Sequence, residues 1–114
     1  MSITIGPADA ASIGSSEYFL ASDSTSASYQ TVDCVVQALI DLSNLAAGDQ
    51  YEIKVYEKAD GTNARIMYQA TVTGAQSPPI FATPAFVVGT GWEVSVKKLA
   101  GTDRSIGWSL NKVT

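Results

Sequence analysis

In five separate runs between Val36 and Leu110, apolar residues recur at every second position. From Tyr51 onward, Tyr51, Ile53 and Val55 fall on one face and Glu52, Lys54 and Lys58 on the other, with Tyr56 breaking the polar side. That is the period of a half-buried strand, in which successive side chains point to opposite faces. A second run sets Ile66, Tyr68, Ala70 and Val72 against Met67, Gln69, Thr71 and Thr73, and Asp60-Gly61 between the two supplies turn chemistry that tolerates positive φ. Residues 46–75 therefore read as a β-hairpin. Upstream, Val36, Ala38, Ile40 and Leu42 alternate with Gln37, Leu39 and Asp41, and residues 45–49 turn the chain into the Tyr51 strand.

Downstream, Trp92, Val94 and Val96 alternate with Glu93, Ser95 and Lys97, and Ile106, Trp108 and Leu110 alternate with Ser105, Gly107 and Ser109. The link Leu99-Ala100-Gly101-Thr102-Asp103 has the length and the glycine of a hairpin loop. The C-terminal quarter is thus predicted to pair with itself. Between residues 74 and 91, Pro78, Pro79 and Pro84 punctuate short apolar pieces such as Ala85-Phe86-Val87-Val88. Proline cannot donate to a ladder, so this stretch is expected to be an edge strand or a crossover between sheets. The serine-rich first thirty residues read as an irregular arm with one strand around Tyr18-Phe19-Leu20. The nearest approach to helical spacing, residues 27–45, is rich in β-branched residues and alternates, which argues against a helix.

These runs make seven to eight short strands. The expected fold is all-β, an antiparallel β-sandwich of Ig-like or jelly-roll type, with strand order left open by the pattern. With 114 residues, 46% of them hydrophobic and 16% charged, a single core suffices, and a chain of this size buries roughly two-thirds of its unfolded surface. The expected organisation is one domain over 1–114, with residues 1–16 an extended N-terminal arm.

The chemistry available is narrow. There is no histidine, which removes the commonest general base and metal ligand and every Ser-His-Asp or Cys-His triad. Glu52, Glu57 and Glu93 read as members of a solvated face rather than a carboxylate pair. Asp60-Gly61-Thr62-Asn63 lacks the spaced carboxylates of a calcium loop, and Gly89-Thr90-Gly91 precedes a strand rather than a helix N-terminus. No catalytic, cofactor-binding or metal-ligating residue is assigned, and the chain is not expected to be an enzyme. Cys34, the sole cysteine, lies in an apolar run and reads as a packing residue. The net charge of −4 carries only one pair of adjacent bases, Lys97-Lys98, so nucleic acid is not an expected partner. The apolar runs are far short of the roughly 20 residues of a membrane helix, and the N-terminus lacks the features of a secretory signal, so synthesis in a cytoplasm is expected. Trp92 and Trp108 read as core residues; exposed, they would form a sugar-stacking platform and make the chain a carbohydrate-binding module.

Four segments, Tyr51-Glu52-Ile53-Lys54-Val55-Tyr56-Glu57-Lys58, Arg65-Ile66-Met67-Tyr68, Gly74-Ala75-Gln76-Ser77-Pro78-Pro79 and Gly91-Trp92-Glu93-Val94, together with Gly101-Thr102-Asp103-Arg104-Ser105-Ile106-Gly107-Trp108-Ser109, resemble a group of small proteins encoded in the structural-gene regions of tailed bacteriophages. The resemblance covers residues 38–113 and consists of turns and core positions, without an active site. It implies a virion structural protein made in the host cytoplasm, above all a capsid decoration (cement) protein on the capsid surface, with a tail or head–tail junction component as the alternative. The implied partner is the major capsid protein, and the implied assembly is a homo-oligomer, a trimer at three-fold points. Candidate contact residues are Ile3, Ile5, Tyr18 and Phe19 in the arm and Ile80, Phe81 and Phe86 in the proline-rich stretch, apolar groups outside the cleanest alternating runs. Ordinary core or edge coverage is the competing reading for each.

Overall fold

In a computed structural model, residues 3–114 are described, apart from the side chains of residues 3 and 5–7. Nine strands carry the alternating runs: β1 (Ile3–Ile13), β2 (Tyr18–Phe19), β3 (Cys34–Asp41), β4 (Gln50–Glu57), β5 (Arg65–Thr73), β6 (Ile80–Ala82), β7 (Phe86–Val88), β8 (Trp92–Ala100) and β9 (Arg104–Val113). The count exceeds the seven to eight expected because the proline-rich stretch holds two three-residue strands and because β1 lies where an irregular arm was expected. All pairings are antiparallel. The first sheet runs β1-β9-β3, with β6 and β7 sharing the far side of β3; the second runs β2-β8-β4-β5. Together they form an antiparallel β-sandwich.

The alternation is what seals the two layers. Val36, Ala38 and Ile40 from β3 and Ile106, Trp108 and Leu110 from β9 meet Tyr51, Ile53 and Val55 from β4 and Trp92, Val94 and Val96 from β8 in one buried cluster. Each fully buried Val, Leu or Ile contributes about 1.5–3 kcal/mol by leaving water. Cys34 is buried in the same cluster, and its burial pushes the thiol pKa up.

The hairpin expected of the C-terminal quarter does not form. β8 pairs with β4 and β2, whereas β9 pairs with β1 and β3 in the other sheet. Both runs bury their Trp-bearing faces, and they do so across the core from one another rather than side by side. Alternation is the same in either arrangement, so the loop length misled. The link at 101–103 crosses the end of the sandwich, and it is held there by Asp49. That buried carboxylate accepts from the Thr102 amide at 3.0 Å, the Ala46 amide at 2.9 Å and Arg104 Nε at 2.7 Å. Gly101 makes the approach feasible: its φ is +91° and a Cβ there would lie 2.3 Å from Asp49 Oδ1.

The N-terminal segment is also corrected. Residues 3–13 are not an irregular arm but the edge strand β1, registered on β9 from Ile3 opposite Val113 to Ile13 opposite Arg104, with a break between Ile5 and Ala8. The two expectations for the proline-rich stretch both hold: it crosses from β5 in the second sheet to β6 and β7 on the edge of the first. The 46–75 hairpin is observed as β4–β5. Its turn is closed by Asp60 Oδ1, which accepts from the amides of Thr62 at 2.9 Å and Asn63 at 2.7 Å.

Candidate interaction surface

The two sheets turn very different outer faces to solvent. On the second, Glu52 pairs with Lys54 at 3.0 Å and accepts from Gln69 Nε2, and Lys97 lies opposite Glu52 across the ladder. Glu17, from the β1–β2 link, accepts from Tyr56 Oη at 2.6 Å and from Ser95 Oγ. Burial, with that bond to Glu17, pushes the Tyr56 phenol up to about 12. This face is charged and internally paired.

The first sheet's outer face is nearly without charge. Register sets Val35 opposite Val113 and Val87, Leu39 opposite Ser109 and Ala82, Asp41 opposite Gly107 and Ile80, and Ala10 opposite Gly107. These positions alternate with the buried ones and so face outward. Asp41 is the only charged residue among the described ones at such positions. Ile80 is 48% exposed and Val87 83% exposed at the rim of this face. Gly107 has no side chain to fill the middle of the sheet, which leaves an open depression of about 350 Å³ walled by Leu39, Asp41, Ile80 and Ser109. A patch of this kind is suited to burial against another protein surface, since it loses little hydration of charge when covered.

The residues expected to make partner contacts do not come together there. Ile3 and Ile5 lie in β1, but their side chains are outside those described. Tyr18 is half-buried: its ring centroid is 5.6 Å from that of Trp108, and its hydroxyl donates to Asp23 Oδ1 at 2.6 Å, a bond that holds the phenol pKa up at about 12. Phe19 is buried, with its ring 6.2 Å from Tyr56. Phe81 and Phe86 pack against the core, the latter 5.6 Å from the Tyr68 ring. Of the five described candidates only Ile80 presents a largely open apolar side chain. Leu39, which faces out on the neighbouring strand, and Val87, which faces out at the other end of β3, were missed. The signal was available: alternation through Phe86-Val87-Val88 puts Val87 opposite in sense to its neighbours.

The two tryptophans are core residues, as expected, whereas the expectation for Glu93 is overturned. Trp92 and Trp108 are 0% and 4% exposed, so neither ring offers the stacking platform that would mark a carbohydrate-binding module. Glu93 is not on a solvated face but completely buried. Its Oε1 accepts from the Ala21 amide at 2.8 Å and the Val94 amide at 2.9 Å, and its Oε2 from Ser22 Oγ at 2.6 Å and the Ser22 amide at 3.1 Å. Burial pushes its pKa up, against the pull of those donors. With the reciprocal Gln30–Trp92 backbone bonds at 2.9 Å, Glu93 stitches part of the serine-rich segment onto β8. Its oxygens are occupied by the protein itself, so it is a structural acceptor. Among the described residues, no group of three or more acidic or sulfur ligands is placed to hold a metal ion.

No protein-family model matches this chain, and no curated protein matches it.

Proposed function

We propose that the chain is a structural protein of a tailed-bacteriophage particle and works by adhesion, as a decoration protein that bridges neighbouring subunits of the major capsid protein. The outer face of the first sheet carries this reading: it is poor in charge, with apolar Val87 and Ile80 at opposite ends of its rim and the uncharged pair Gln37 and Asn111 between them. The sequence resemblance in 38–113 supplies the setting. Covering Ile80, Val87 and Leu39 with parts of two capsid subunits makes separation of those subunits cost the new contacts as well, so the shell is stabilised by mass action without a reaction. The rigid sandwich keeps the ordering cost of binding small, since the contact residues sit on strands already held by the ladder.

The test is whether the protein sediments with purified particles, and where electron microscopy places it. Density on the head supports the decoration role. Density confined to the tail or the head–tail junction moves the protein to those parts of the particle, and absence from particles overturns the virion reading.

A further inference from the structure

The sandwich has open edges at β1, at β6 and β7, at β2 and at β5. An open edge is a row of unpaired backbone donors and acceptors, and proteins usually interrupt it. β1 breaks register between Ile5 and Ala8, and its sequence there includes Pro7. β2 has two residues. β6 and β7 have three each and are separated by Thr83-Pro84-Ala85.

β5 differs. It has nine residues, no proline, and a single charge, Arg65, at its first position. Its one irregularity against β4 falls between Val55 and Tyr56, which leaves Tyr68–Thr73 in unbroken register. Along that stretch Gln69, Thr71 and Thr73 are exposed on the outer side, while Ala70 and Val72 lie on the core side.

We propose that β5 pairs antiparallel with β5 of a second copy about a two-fold axis at Thr71, joining two four-stranded sheets into one of eight. In this register Thr71 faces Thr71, Gln69 faces Thr73 and Ala70 faces Val72, so polar meets polar outside and apolar meets apolar on the core side. Registers shifted by one residue put Ala and Val against Thr and Gln and break this match. The charges agree as well: antiparallel pairing carries the two Arg65 side chains to opposite ends, whereas parallel pairing stacks them. A second copy is the fitting occupant because it brings no like charges together along this edge, whereas a strongly charged strand from elsewhere would meet no counter-charge between Tyr68 and Thr73. Ile66 and Met67, 48% and 40% exposed, reach toward the 74–76 turn of the other copy and lose water there. This two-fold contact uses an edge of the second sheet rather than the outer face of the first, and it stands independently of the virion reading.

Sedimentation velocity on the purified full chain, without particles, tests it. The expected result is a concentration-dependent dimer. Thr71→Lys sets two ammonium groups opposite each other at the axis and is expected to weaken self-association by about tenfold or more, with thermal melting little changed because Thr71 is exposed. Thr71→Glu is expected to weaken self-association likewise, with a somewhat lower melting temperature because Glu52 lies across the ladder from position 71, and mixing the two variants is expected to restore a dimer through a Lys–Glu pair at the axis. A wild-type chain that stays monomeric at all concentrations overturns the proposal, as does a dimer indifferent to both substitutions or a pair of variants that fails to associate when mixed.

Discussion

The phenolic oxygen of Tyr51, on β4 of the second sheet, lies 2.9 Å from the backbone nitrogen of Arg104, the first residue of β9 in the first sheet, and accepts its hydrogen. The same hydroxyl lies 2.9 Å from the carbonyl oxygens of Ile13 and Thr102, which share its single hydrogen. One side chain thus joins β4, the end of β1 and both sides of the crossover between β8 and β9.

Tyr51→Phe keeps the ring in the core and removes only these bonds. The Arg104 amide and the two carbonyls are then left without their partner, a loss of about 1–3 kcal/mol. Urea denaturation is expected to show a lower midpoint with an unchanged slope; an unchanged midpoint would mean that water replaces the hydroxyl at no cost.

Asp49, which holds the same crossover, sets a pH dependence. Its hydrogen bond to the Arg104 side chain, followed by those from Thr102 and Ala46, lowers its carboxyl from the ordinary 3.8 to about 2. A depressed acid contributes stability that is present above its unfolded value and lost as pH falls through its folded value. Wild-type stability is therefore expected to decline between 3.8 and about 2, and Asp49→Asn to be less stable at neutral pH and flatter over that window. Thermal melts against pH separate the two chains, and parallel curves would refute the assignment.

Glu93→Gln replaces one accepting oxygen by an amide that donates, facing donors it cannot accept from. The cost is about 1–3 kcal/mol, and it is expected to appear locally first. Amide hydrogen exchange at Ala21 and Ser22 should quicken well before exchange in β4. Uniform exchange in both variants would show that the segment is held by its Gln30–Trp92 bonds alone.

Ile80→Lys, which meets Asp41 across the ladder rather than a like charge, and Val87→Asp place charges on the patch proposed to bind the capsid. Both positions are exposed, so folding should be nearly unaffected, while each change removes a contact worth about 1.5–3 kcal/mol when buried, or roughly tenfold or more in affinity. Retention of the protein on purified particles measures this. Full retention of the double variant would exclude this face.

What could be read in the residues differs sharply from one feature to the next. The buried sets Val36/Ala38/Ile40, Tyr51/Ile53/Val55 and Trp92/Val94/Val96 follow from the pleat, as does the β4–β5 hairpin from Asp60-Gly61. The pattern held less well in β5, where Val72 is the one buried member of its run and Ile66 is 48% exposed, because the register slips by one residue between Val55 and Tyr56 and sets Ile66 opposite the outward Tyr56. Of the interaction surface, Ile80 was legible as an apolar residue outside the main runs. Val87 was legible from the alternation through Phe86-Val87-Val88, whereas the grouping of Leu39, Ile80 and Val87 on one face was not, since it brings residues together from separate strands.

Periodicity is a local property: the alternation of side chains along a pleated strand assigns an inside and an outside to each run without reference to any other part of the chain. The sequence by itself therefore determined an all-β sandwich and most of its core. Which sheet a strand joins depends on distant partners, and β8 and β9 have the same pattern whether they lie side by side or face each other across the core. Glu93 shows the same division, for its place in the alternation marked it as outward, and only the return of Ala21 and Ser22, some seventy residues earlier in the chain, supplied the donors that make its burial tolerable. Tertiary structure decided both, because hydrogen-bond satisfaction and sheet membership are settled between segments rather than within them.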